Sequence, residues 1–149
     1  DIALSPPLRF ERTPLAERAA GLEGARIVVS GGRGMDETGF ALLAEIAERL
    51  GGALGASLPA IDAGLAPTSR QVGQSGKFVT PELYLAVGLS GTPQHLAGIS
   101  AATRVLAINK DPAAPIFDYA ELGVVADWRE ILPTLRDHLL NAAESNAQK

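Results

Sequence analysis

Arg26-Ile27-Val28-Val29-Ser30-Gly31-Gly32-Arg33-Gly34 is the stretch that decides the fold. Three β-branched apolar residues follow one another without polar alternation and end in a glycine turn. Such a run suits a strand covered on both faces, as in parallel sheets. A helix is expected next. Leu43, Ile46 and Leu50 recur at helical spacing, with Glu45, Glu48 and Arg49 elsewhere on the wheel. Asp36 or Thr38 stands where a cap is needed, and Gly51-Gly52 where the helix should stop.

The same alternation continues along the chain. Second, third, fourth and fifth strands are expected at residues 53–57, 83–89, 104–109 and 123–127. Residues 94–99 read as a short helix. A final helix carries Leu132, Leu135, Leu139 and Leu140, with Pro133 expected in its first turn, where a missing N–H costs little. Strands alternating with helices predict an α/β fold: an open parallel sheet of about five strands with helices on both faces.

Composition limits the function. The chain has 149 residues, 46% hydrophobic and 20% charged, enough for one buried core. A net charge of −4 argues against a nucleic-acid partner. The absence of cysteine removes disulfides and thiol chemistry. No apolar run reaches the roughly 18 residues of a membrane helix, so no membrane insertion is expected. His95 and His138 are far apart in sequence, and no metal site is expected. Residues 1–24, broken by Pro6, Pro7 and Pro14, read as an arm or linker from a missing amino-terminal domain, with an extended piece at residues 8–10. Residues 25–141 read as the folded domain and 142–149 as a frayed polar tail.

In open parallel sheets the ligand lies beyond the carboxyl ends of the strands. Those ends read Ser30-Gly31-Gly32-Arg33-Gly34, Ser57, Ser90-Gly91, Asn109-Lys110-Asp111 and Asp127. All are small or polar, which a purely structural sheet does not require. The glycine turn matches neither G-x-G-x-x-G nor the P-loop, and taken alone reads more readily as a tight strand–helix connection than as a phosphate turn. Asn109 and Asp127 are candidates for a ribose hydroxyl, although each taken singly reads more readily as a helix cap or turn residue. Gln71-Val72-Gly73-Gln74-Ser75-Gly76-Lys77 packs amides and a hydroxyl into one loop, which suits the edge of a heteroaromatic ring better than acid–base work. No paired carboxylates and no G-x-S-x-G elbow occur, so no catalytic residue is expected.

That loop, followed by Pro81-Glu82-Leu83-Tyr84, Gly88-Leu89-Ser90-Gly91, Gln94-His95-Leu96-Ala97-Gly98, Ile108-Asn109-Lys110-Asp111-Pro112 and Ala114-Pro115-Ile116-Phe117, resembles the carboxy-terminal, FAD-binding domain of the electron transfer flavoprotein alpha subunit. The resemblance spans about residues 25–138. It implies a Rossmann-like FAD-binding domain in a heterodimer with a beta subunit. It also implies an electron carrier without substrate chemistry of its own, set between acyl-CoA or other dehydrogenases and a quinone reductase or another acceptor, in a bacterial cytoplasm. Carried over by position, Arg33 would lie near the flavin or pyrophosphate, and Ser57, Ser90 and Gly91 at the pyrophosphate. Gln71, Val72, Gly73, Gln74 and Ser75 would line the isoalloxazine, Gln94 and His95 would face the cofactor, and Asn109 and Asp127 would hold the adenosine end. Resembling chains carry Arg where this one has Leu58, which implies a lower flavin potential. Competing readings are a related NAD- or FAD-binding enzyme domain, for which Lys110 is the only crevice lysine, and an interaction module without redox function, which has Leu58 as its sole support.

Overall fold

The apolar runs lie side by side as one all-parallel sheet. The computed structural model describes residues 21–147. The strands are β1 (Ile27–Gly31), β2 (Ala53–Ala56), β3 (Leu83–Val87), β4 (Arg104–Asn109) and β5 (Leu122–Val125), in the order β2-β1-β3-β4-β5. The α-helices are α1 (Glu37–Arg49), α2 (Leu58–Asp62), α3 (Pro93–Leu96) and α4 (Trp128–Ala147). Strand order reverses between β1 and β3. Their connections leave in opposite directions, which opens a crevice beyond their carboxyl ends.

Alternation along each strand divides the core in two. Val29, Leu54, Leu85 and Val87 face the long helices α1 and α4, which bring Phe40, Leu43, Ile46, Trp128 and Leu132. Val28, Tyr84, Ala86, Val105 and Ala107 face the other way and are covered by Val72, Val79, Leu89 and Ile116. Helices therefore lie on both faces, but unequally: the second face carries short elements and loops. β5 differs from the inner strands, since all four of its residues are exposed.

Several expected boundaries move for identifiable reasons. Ser57 is no strand residue but the cap of α2, a helix the pattern did not reveal; its Oγ accepts from the Ala60 N–H at 3.4 Å. β3 ends at Val87, because Gly88 turns the chain with a φ of +64°. The helix expected over 94–99 is shorter, ending at Leu96. β5 begins and ends earlier than expected. Pro133 is in the second turn of α4, not its first, because Asp127 caps the helix early by accepting the Arg129 N–H at 2.9 Å. Residues 142–147, expected to fray, continue α4, since Ala142, Ala143 and Ala147 favour helix and no Gly or Pro stops it. Leu22, assigned to the arm, is buried in the same cluster as Val28 and Tyr84. The extended piece at residues 8–10 lies outside the described residues.

Candidate functional site

At the switch point the two glycine turns press together. The Gly32 N–H donates to Val87 O at 2.9 Å and the Gly34 N–H to Gly88 O at 3.0 Å. A Cβ on Gly32 would strike the Gly88 carbonyl, and one on Gly34 would come within 2.9 Å of it. These glycines are thus required by close packing of one turn on the other. What they expose is Arg33.

Beyond the turns runs a trough of three adjoining compartments. The middle one, about 350 Å³, is lined by Arg33, Ser57, Ser90, Thr92, His95 and Asn109, among others. Arg33 and Ser90 have backbone N–H groups that meet no acceptor among the described residues. A cation, several hydroxyls and unspent amides make this compartment suitable for an anion.

The second compartment, about 260 Å³, is lined by Leu58, Pro59, Gln71, Val72, Gly73, Gln74, Ser75, Thr92, Gln94 and His95. It shares Pro59, Thr92 and His95 with the first. Main-chain contacts fix its shape. The Val72 N–H extends the sheet by bonding Ala56 O at 2.9 Å, the Lys77 N–H closes the loop on Gln71 O at 2.8 Å, and the Gln74 N–H docks it on Gln94 O at 2.8 Å. Gly73 has a φ of +147°, and a Cβ on Gly98 would collide with its peptide nitrogen. Gln71 donates an amide N–H to Ser75 Oγ at 2.8 Å, which leaves the hydroxyl proton available. Among the described residues that line it, the only titratable side chain is His95. Burial pushes its imidazole down to about 4, against a weaker opposing effect of the Val72 backbone, so it is uncharged near neutrality.

The third compartment, about 50 Å³, is lined by Asn109, Lys110, Asp127, Trp128 and Arg129 with Gly34 and Gly88. Asn109 is already bonded at both ends of its amide, donating to Leu89 O at 3.0 Å and accepting the Asp111 N–H at 2.9 Å. It ties the loops after β3 and β4 together. The Arg129 N–H and side chain hold the Asp127 carboxyl below its usual range, with Lys110 assisting. Trp128 donates Nε1–H to Gly34 O at 3.0 Å and carries the Arg129 guanidinium 4.4 Å above its ring.

Of the residues singled out from sequence, Arg33, Ser57, Gln71, Val72, Gly73, Gln74, Ser75, Ser90, Gln94, His95, Asn109 and Asp127 line this one trough. Gly91 does not. Its φ is +83° and a Cβ there would lie 2.7 Å from Ile116 Cα, so it serves loop packing. Thr92, Trp128 and Arg129 also line the trough. The signal for Thr92 and Arg129 was only adjacency to the strand ends.

The donor set suits an elongated dinucleotide: neutral amides at one end, a cation and free amides in the middle, and the Asp127 carboxylate beside Lys110 and Arg129 at the other. Comparison with known proteins agrees. The family model described as the electron transfer flavoprotein FAD-binding domain matches residues 21–100. The mitochondrial electron transfer flavoprotein subunit alpha of Dictyostelium discoideum is 52% identical over 119 residues, covering 79% of this chain and 34% of its own. The electron transfer flavoprotein subunit alpha of Paracoccus denitrificans is also 52% identical, over 79% of this chain and 39% of its own. That of Pseudomonas aeruginosa is 53% identical, over 76% and 37%. The chain thus spans between about a third and two-fifths of the length of these relatives.

Proposed function

The chain belongs to the electron transfer flavoprotein FAD-binding domain family, and from that premise we propose that the trough holds one FAD along its length. The isoalloxazine would lie in the amide-lined compartment, the pyrophosphate against Arg33, Ser57 and Ser90, and the adenosine toward Asn109 and Asp127. The observation that carries this reading is the continuity of three chemically distinct compartments across the switch point. When bound, FAD supplies reversible electron uptake and release. The protein's part is to bind, orient and tune it. Arg33 offsets phosphate charge. Gln71, Gln74, Ser75 and Gln94 offer neutral donors and acceptors to the ring edge without titrating. The stacked main chain of the 71–77 loop holds that compartment to one shape.

The wider role follows the relatives. We infer an electron carrier working as a heterodimer with the beta subunit. It would take electrons from acyl-CoA or other dehydrogenases and pass them to a quinone reductase or another acceptor. Among the described residues no helix is long and apolar enough to cross a membrane. We infer a bacterial cytoplasmic setting, which accords with the Paracoccus and Pseudomonas relatives but not with the mitochondrial one of Dictyostelium.

Leu58 is 44% exposed on the wall of the amide-lined compartment, where it adds no charge. A cation there would favour the reduced, more negative ring. Leu58→Arg should therefore raise the flavin potential in a spectroelectrochemical titration; an unchanged or lower potential would refute that role. The cofactor reading is tested by the absorbance spectrum after FAD addition, and by calorimetry with and without a beta subunit. Flavin absorbance that follows the protein and is released by heat is expected. A colourless chain that takes up no FAD in either condition would sink it.

A further inference from the structure

A buried polar chain runs beneath the trough, and the cofactor reading does not use it. Tyr84 is wholly buried on β3, in register with Val28 of β1 and Val105 of β4. With valines on either side, a phenylalanine would supply the same ring. A hydroxyl buried among apolar groups is costly unless it is bonded. Its partner is His95 of α3: the Tyr84 hydroxyl lies 2.6 Å from Nε2, with the rings edge to face at a centroid distance of 5.9 Å. Ser30 stands on the same sheet face beside the phenol. His95 forms part of the wall shared by the middle and amide-lined compartments.

We infer that Tyr84 is a positioning residue for His95: its O–H donates to Nε2, leaves the imidazole's one proton on Nδ1, and holds the ring in one orientation in the wall of the trough. The functional half of this assignment rests on the FAD reading above. The sense of the bond follows from chemistry. A phenol is a stronger acid than a neutral imidazole N–H, and an imidazole nitrogen is a stronger base than a phenol oxygen. Burial acts the same way on both partners, pushing the phenol up and the imidazole down, so neither carries charge near neutrality. Nδ1 is buried and meets no acceptor at hydrogen-bond distance among the described residues, and the Val72 main chain favours a proton on the ring.

Position is held from both sides. The Thr92 hydroxyl accepts the His95 N–H at 3.4 Å and fixes the first turn of α3. Tyr84 fixes the far nitrogen. Without the phenol the ring has no anchor at Nε2 and can exchange tautomers or flip.

The test is the side-chain nitrogen spectrum of His95 in ¹⁵N-labelled chain at neutral pH, before any FAD is added. Nε2 is expected to be unprotonated and Nδ1 protonated. Tyr84→Phe, which keeps the ring volume, should retain the fold by circular dichroism while its His95 nitrogen signals average between tautomers. A protonated Nε2 in the unsubstituted chain, or an unchanged spectrum in Tyr84→Phe, overturns the assignment. FAD titration then tests the consequence. Tyr84→Phe and His95→Gln should each weaken FAD binding about tenfold, and the double variant no more than either alone. Additive losses would show that Tyr84 does not act through His95. Failure of the unsubstituted chain to bind FAD would count against the cofactor reading, while the nitrogen spectrum still decides the Tyr84 assignment.

Discussion

The two ends of the trough are built by different means. At the amide-lined end, main chain rests on main chain: Gly98 backs onto Gly73, and Gln74 and Val72 donate peptide N–H groups to Gln94 and Ala56. At the opposite end, side chains set the shape. Trp128 reaches across to Gly34, Asn109 bridges two loops, and Arg129 lies between Asp127 and Asp36 at 3.3 and 3.1 Å. A compartment made of packed backbone admits few substitutions but adds no charge. One made of side chains is adjustable and sensitive to salt. On the proposed placement, the difference would suit a dinucleotide whose redox ring needs a constant environment and whose adenosine end needs only to be held.

The largest expected effect is at the side-chain end and concerns its one buried anchor. Trp128 packs against Gly39 and is 7% exposed. Trp128→Ala should cost about 3–5 kcal/mol of unfolding free energy in urea. A loss below about 1 kcal/mol would mean that α4 does not depend on the indole, and that this end has no fixed point.

The next effect is a pH dependence from His95. In the folded chain its imidazole sits near 4, below its ordinary 6.5. The unfolded state therefore takes up the proton first. Stability is full above about pH 6.5, falls as the pH drops, and levels off below about pH 4, for a total of roughly 3 kcal/mol. Urea midpoints at pH 7 and 4.5 measure it. His95→Gln should flatten most of that slope; an equal slope in the variant would place the acid sensitivity in carboxylates instead.

Gly98→Ala attacks the backbone end. The new Cβ would lie 2.6 Å from Gly73 Cα and 3.0 Å from Lys77 O, so the 71–77 loop must move. About 1–3 kcal/mol of stability should be lost, with at least a tenfold weaker FAD titration. Unchanged FAD affinity would break the claim that this compartment is held rigidly. The smallest effect is Asp127→Asn, which keeps an oxygen to cap α4 but removes the charge facing Arg129 and Lys110. Thermal unfolding should hardly change. FAD affinity should fall about threefold, with the difference fading at high salt. A loss as large as that of Gly98→Ala would erase the contrast between the two ends.

The sheet was legible because its strands are apolar runs bounded by glycines, and β4 falls on its expected residues without adjustment. α2 was hidden. Five residues containing Pro59 show no helical periodicity, and Ser57 reads as readily as a strand end as a cap. The start of α4 was misplaced because leucine spacing marks the middle of a helix, whereas its beginning is set by one carboxylate, Asp127. Trough residues were recognisable where polar groups interrupt strand ends. The packing of Gly91 against Ile116 was not legible, because a glycine's neighbours are set by a loop 25 residues further along the chain. Tyr84 lay inside an apolar strand, and nothing local indicates that its hydroxyl meets a histidine eleven residues later.

β5 has a last consequence. Its outer side is the rim of the sheet, and Leu122, Val124 and Val125 stand open on it with no charged residue within the strand. Bare rims of this kind template the stacking of further copies. If copies of the isolated chain pair along this rim, a single lysine at Val124 should raise the concentration at which light scattering begins.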